Sequence, residues 1–92
     1  MSEVSRTLEI VNQRGLHARA SAKFVGAVAE LPEGISVKIA KDGNEAAGGS
    51  ILGLMMLGAA KGDSIDLIVS GEGSDAVLED LGALISDGFG EE

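Results

Sequence analysis

The sequence predicts an α+β open-faced sandwich, four strands carrying helices on one face, and three features point to it. Four short segments alternate apolar and polar residues with period 2, as half-buried strands do. Three others repeat apolar residues every three to four positions, as amphipathic helices do. The segments follow one another as β-α-β-β-α-β-α, and the β-β step carries a strong hairpin signal, Asp42-Gly43.

The first strand rests on Val4, Leu8 and Ile10, which share one parity, while Ser5, Thr7 and Glu9 take the other. Asn12-Gln13-Arg14-Gly15 breaks it. From residue 18 to about 30 the period changes: Ala18, Ser21, Ala22, Phe24, Val25, Val28 and Ala29 fall on one broad face, opposite a stripe of Arg19, Lys23, Gly26 and Glu30. Pro32 and Gly34 end this helix. Ile35, Val37 and Ile39 alternate as a second strand, and a short return strand follows the turn at residues 44–47. Ser50 is placed to cap a short apolar helix running from Ile51 to about Leu57. Gly58 and Gly62 bracket a loop, and Ile65, Leu67 and Val69 mark the fourth strand. Ser74 is expected to cap the last helix, with Asp75 in the first turn, Val77, Leu78, Leu81, Leu84 and Ile85 on its buried face, and Gly88 as its stop.

The 92 residues are read as one domain, residues 1–92, with 45% hydrophobic and 24% charged residues. No apolar run reaches the roughly 20 residues of a membrane span, and the start lacks a basic head followed by an apolar stretch, so a cytoplasmic protein is expected. The absence of Cys excludes disulfides and thiol chemistry, and a single His excludes a His-based metal cluster, so neither metal nor cofactor is expected. Fifteen acidic residues against seven basic, net −8, with two Phe as the only aromatics, make nucleic acid a poor partner.

The chemistry concentrates at Gly15-Leu16-His17-Ala18-Arg19, where a strand has ended and a helix begins. A helix start presents unpaired N–H groups and a partial positive charge, which receive anions and favour the neutral ring of a nearby imidazole. A neutral ring nitrogen can attack phosphorus. The N–H groups, Arg19 and Arg14 would then hold the phosphoryl oxygens, and Gly15 would allow the tight entry. A histidine at a helix start also serves as a plain cap, and an arginine one turn in as a solvated side chain. The residue context separates these readings.

That context is Gly15-Leu16-His17-Ala18-Arg19 followed by Phe24-Val25, then Ser50-Ile51-Leu52-Gly53-Leu54-Met55-Met56-Leu57-Gly58, Ala60-Lys61-Gly62-Asp63 and Ser86-Asp87-Gly88-Phe89. It resembles the HPr family, the histidine-containing phosphocarriers of the bacterial phosphoenolpyruvate phosphotransferase systems, over nearly the whole chain. The resemblance implies a four-stranded antiparallel sheet with three helices on one face. It also implies a phosphoryl group carried on Nδ1 of His17 and neutralised by Arg19, with Gly15, Ala18, Ala20 and Arg14 supporting it. The implied donor is enzyme I, the acceptor a IIA-type protein, and the state a monomer. Ala20 stands where the family usually has proline, and Arg14 where it has a small or uncharged residue. Gly26, Ala29 and Gly53 stand near positions where many members have lysine. The ending Gly88-Phe89-Gly90-Glu91-Glu92 and Leu54-Met55-Met56-Leu57 somewhat resemble the nitrogen-regulatory branch, which shares its phosphorylation site with the sugar-uptake branch, and the choice between the two stays open.

By the same resemblance Ser50 matches a serine that a dedicated HPr kinase/phosphorylase modifies in some bacteria; read from the residues it is an N-cap. The following helix is too apolar to have one buried face, so Ile51, Leu52, Met55 and Met56 are expected to dock partners, Met adapting to differently shaped surfaces. Two other functions remain open at this point. A non-catalytic regulatory binding module would use His17 as a cap only. An acyl carrier would use Ser64 in Asp63-Ser64-Ile65 as a prosthetic-group site, and that serine should then open a helix.

Overall fold

The structure, a computed structural model, describes residues 3–90. Expectations resting on Met1, Ser2, Glu91 and Glu92 lie outside the described residues. The elements run β1 (Glu3–Glu9), α1 (Ala18–Ala29), β2 (Ser36–Lys41), β3 (Asn44–Ala47), α2 (Ile51–Met56), β4 (Ser64–Ser70) and α3 (Ser74–Ser86), with a tight turn at Gly88–Gly90. The strands form one sheet in the order β1-β4-β2-β3, and every neighbouring pair is antiparallel.

Register follows from burial. Val69 of β4 lies between Val4 of β1 and Val37 of β2, and Leu67 lies between Arg6 and Ile39. Val37, Ile39, Ile65, Leu67 and Val69 face the helices and are buried, while the other face of the sheet carries Ser5, Thr7, Asp66 and Glu45 in the open. Arg6 shares the helix-facing parity of Val4 and Leu8, so the alternation of β1 is interrupted there. Its guanidinium escapes burial by reaching Glu79 of α3 at 2.8 Å. The β2–β3 connection is the turn expected from Asp42-Gly43, both residues having positive φ (53° and 85°) as a type I′ hairpin needs.

Phe24, Leu54, Ile85 and Phe89 complete the core from the helical side, each with no exposure. Phe89 is the surprise: three residues past α3, it turns back at φ 60° between two glycines and drops into the core. Lys23 Nζ of α1 donates to its carbonyl oxygen at 2.8 Å, tying the end of the described chain to the first helix.

Three sequence expectations are corrected. Ala18, Ala22 and Ala29 lie on the exposed side of α1, whereas Ala20 is fully buried with Ser21 and Phe24, and Ala27 is half-buried. Alanine fits either side of a helix, so only the larger residues locate the face. Gly73, with φ 84°, caps α3, and Ser74 is already inside the helix with no side-chain cap bond formed. The second strand starts one residue after Ile35 and runs on to Lys41, because its pairing with β3 carries it to the turn. At α2 the expected cap is present: Ser50 Oγ accepts from Gly53 N at 3.0 Å, and the helix ends at Met56 with Leu57 as its C-cap. In a six-residue helix this bond matters. Ser50→Ala should lower stability by about 1 kcal/mol and the thermal midpoint by roughly 4–8 °C, read by calorimetry.

Candidate functional site

The site is built on the segment between β1 and α1, which is held by a second loop far away in the chain. Ile10 N donates to Asp63 O at 2.9 Å, Gly62 N to Ile10 O at 2.8 Å, and Leu16 N to Ala59 O at 3.0 Å. Within the segment, Gly15 N donates to Asn12 O at 3.2 Å and the buried Asn12 Nδ2 to Gly15 O at 2.8 Å, closing a turn. Gly15 sits at φ 61° with its α-carbon pressed on the backbone of Ala59 and Ala60, where a side chain would collide with the Ala59 carbonyl oxygen. Asp63 braces the second loop, its carboxylate accepting from Ala60 N at 2.9 Å and lying 3.9 Å from Lys41. The hydrogen bond from Lys41 to Asp42, aided by the charges of Asp42 and Asp63, raises the Lys41 ammonium above its ordinary value.

His17 follows as the N-cap of α1, extended at φ −76° and ψ −178°. Its Nδ1 accepts from Arg19 N at 3.2 Å, doing with a ring nitrogen what Ser or Asp oxygens usually do. A nitrogen that accepts this bond has its lone pair in place. Nδ1 points to the end of the helix where the N–H groups of the first turn lack partners within the helix. A phosphoryl group on Nδ1 would take over the place of the cap. Ala18, Arg19 and Ala20 supply that first turn, and the fully buried Ala20 side chain anchors it. Ser21 adds two further ties to the segment: its N–H donates to His17 O at 2.9 Å and its Oγ to Leu16 O at 3.2 Å.

The ring is half-buried, and the Arg14 and Arg19 side chains are exposed. Neither guanidinium makes a hydrogen bond or ion pair among the described residues. Beside α1 packs α2, which buries Leu54 alone and exposes Ile51, Leu52, Met55 and Met56, the last two reaching 41% and 76% exposure. Three residues after Met56 comes Ala59, the partner of Leu16, so the apolar end of α2 leads directly into the loop that holds the histidine segment. Ser50 lies at the opposite end of α2, half-buried and engaged in its cap. Ser64 opens β4, with Asp63 before it in the loop.

Sequence reading passed over Asn12 and Ala59, which fix Gly15 and Leu16. Asn12 had a usable signal, an amide residue three positions before a glycine, but the role of Ala59 rests on its backbone and has no side-chain signature.

Comparison with known proteins finds relatives along nearly the whole chain. The family described as "PTS HPr component phosphorylation site" matches residues 4–87. The "Phosphocarrier protein HPr" of Neisseria meningitidis serogroup A is 40% identical, the match covering 96% of this chain and 97% of the relative. The "Phosphocarrier protein NPr" of Escherichia coli strain K12 is 34% identical over 97% and 98% of the two chains. Among solved structures, HPr-C-His from Thermoanaerobacter tengcongensis superposes with a TM-score of 0.86 at 36% identity, covering 100% of this chain and 99% of that one.

Proposed function

The chain belongs to the HPr family of phosphotransferase-system phosphocarriers, and on that premise we propose that it accepts a phosphoryl group from phosphorylated enzyme I on Nδ1 of His17 and passes it to a IIA-type acceptor. The phosphate originates in phosphoenolpyruvate, and the relay serves sugar uptake or nitrogen and carbon regulation. The observation that carries this reading is the cap bond from Arg19 N to His17 Nδ1, which leaves the lone pair of that nitrogen aimed at the N-terminus of α1.

In the forward step the Nδ1 lone pair forms an N–P bond as the donor's bond to phosphorus breaks and its electron pair returns to the donor. Nε2 keeps its proton, so the phosphorylated ring stays a good leaving group and the second transfer needs no added acid. The helix amides and the Arg19 guanidinium hold the phosphoryl oxygens, and Gly15 lets the segment pass close enough to its supporting loop to fix the ring. Chemistry of this kind is a handover between proteins and not turnover of a small molecule, so the chain works as a transfer intermediate, as a cytoplasmic monomer with no cofactor. Ile51, Leu52, Met55 and Met56 form its docking patch, and Ser50 is a site for a kinase whose phosphate would add about two negative charges beside that patch.

The acyl-carrier alternative loses its structural support, because Ser64 begins a strand instead of a helix. The experiment is incubation with labelled phosphoenolpyruvate and enzyme I. Acid-labile, base-stable label, with phosphorus–nitrogen coupling to Nδ1 in nuclear magnetic resonance, is the expected result; absence of label overturns the proposal. Arg19→Ala should slow transfer in both directions by about 10–100-fold, the loss of a charge-assisted hydrogen bond in the transition state. Its thermal unfolding should match wild type, since the Arg19 side chain is exposed.

A further inference from the structure

The three residues of the turn after α3 all lie in the left-handed region, Gly88 at φ 68°, Phe89 at φ 60° and Gly90 at φ 75°. The glycines adopt it freely, but a bulky aromatic residue rarely does, and it stays there only where its surroundings hold it. Phe89 is held on two sides. It belongs to the core with no exposure, and its carbonyl oxygen accepts from Lys23 Nζ at 2.8 Å. The transfer chemistry described above makes no use of this turn.

What the turn touches is the histidine segment, on both sides of the ring. Gly88 is buried against its start: a Cβ on Gly88 would stand 3.4 Å from Asn12 Cβ and 3.6 Å from Val11 Cγ2. Gly90 faces the helix that follows the histidine, where a Cβ would come within 3.1 Å of Lys23 Nζ. Asn12 is itself buried, and its Nδ2 passes the contact on by donating to Gly15 O at 2.8 Å, two residues before His17. Lys23 stands one helical turn beyond Arg19, whose N–H donates to His17 Nδ1. The loop after α2 supports the middle of the segment through Gly15 and Leu16. The turn at Gly88–Gly90 grips it at Val11, Asn12 and Lys23.

We propose that Phe89 is a positioning residue for the phosphoryl transfer: anchored in the core, it seats the turn at Gly88–Gly90 on Asn12 and Lys23 and so fixes where His17 stands. The inference rests on the proposed phosphocarrier reading and adds to it a residue from beyond the last helix. Phe89 acts through Asn12. If the turn loosens, Asn12 loses the surface it packs on, Gly15 O loses a fixed donor, and the segment drifts between its two flanking elements. A shift of the ring slows attack on phosphorus steeply, because the reacting atoms must meet in one geometry. The exposed α2 side chains stand outside this linkage, so affinity for the donor is untouched.

The test is Phe89→Leu in the full chain, which keeps an apolar side chain in the core but loosens the fit. Val77→Ala, in the buried face of α3, is the control for lost core packing. In single-turnover transfer from enzyme I, the rate at saturating donor should fall about tenfold in Phe89→Leu, with the half-saturating donor concentration within about twofold of wild type. Val77→Ala should transfer at the wild-type rate. On an Asn12→Ala background Phe89→Leu should slow transfer further by no more than about twofold, because both substitutions break one linkage. A Phe89→Leu rate no lower than that of Val77→Ala overturns the proposal, and so does a tenfold loss that persists in full on Asn12→Ala. Lys23→Met leaves the core intact and decides the question if Phe89→Leu fails to fold: a loss of about threefold supports the proposal and a wild-type rate overturns it. Hydrogen exchange reads the same linkage without any phosphoryl group. Arg19 N–H should exchange about tenfold faster in Phe89→Leu, while Gly53 N–H, capped by Ser50, keeps its wild-type rate. If the chain proves to carry no phosphoryl group, faster exchange at Arg19 still sustains the role of Phe89 in placing His17, and an unchanged rate removes it.

Discussion

His17→Ala should carry no phosphoryl label at all under conditions that label the wild-type chain fully. In the proposed transfer the ring supplies the nucleophile, and the sequence has no Cys and no second His to stand in for it. Loss of label by itself is ambiguous, because His17 also caps α1 through Nδ1. Alanine removes that bond, at about 0.5–2 kcal/mol for a lost cap. The paired variant His17→Asn resolves this. Asparagine is among the best N-cap residues, so its thermal midpoint should lie within a few degrees of wild type, while its amide cannot accept phosphorus. Label on His17→Asn would move the chemistry to another residue and end the assignment of Nδ1. Zero label on both, with the Asn variant folded by circular dichroism, is the expected outcome.

Gly15→Val should slow transfer without abolishing it and be far more damaging to stability than His17→Ala. Two costs add. Positive φ at a β-branched residue costs roughly 1–2 kcal/mol, and the new Cβ would strike the carbonyl oxygen of Ala59, backbone against backbone, where no side chain can swing away. Relief requires the two loops to separate, which breaks the Leu16 N to Ala59 O bond and shifts His17. A total loss of about 3–4 kcal/mol is expected, together with a fall in transfer rate of the order of 100-fold for an ångström of misplacement. Urea unfolding and single-turnover transfer measure the two effects. Gly26→Ala is the control. Gly26 lies in the exposed middle of α1 with nothing near its missing Cβ, so the same enlargement should stabilise the protein by up to about 1 kcal/mol and leave transfer intact. Equal behaviour of the two variants would show that loop docking at Gly15 is not what positions the ring.

The contrast between these glycines shows where sequence reading succeeds and where it stops. Asp42-Gly43 announces its turn because the needed positive φ values are a property of two adjacent residues. His17 is legible as a helix start for the same reason: strand parity ends and helical spacing begins within a few residues of it. Gly88 too ends α3 as its position predicts, with φ 68°. Gly15 reads as permissive but not as indispensable, since the atoms that forbid a side chain there belong to residues 59 and 60.

Elsewhere the local pattern misleads. Alanine's small side chain obscures the buried side of α1, and Phe89 carries no periodic partner that would place it in the core. Ser74 has the chemistry of a cap but arrives one residue late, behind a left-handed glycine that turns the chain first.

The order of elements, the strand faces, the apolar excess of α2 and the histidine at a helix start were all determined by residue order alone, because each depends on side chains within a turn or two of one another. Only the tertiary structure decided that the histidine segment rests on the loop after α2 and that the backbone of Ala59 and Ala60 closes against Gly15. Those facts depend on backbone hydrogen bonds and packing between positions more than forty residues apart, and a main-chain amide or carbonyl looks the same in the sequence whichever residue bears it.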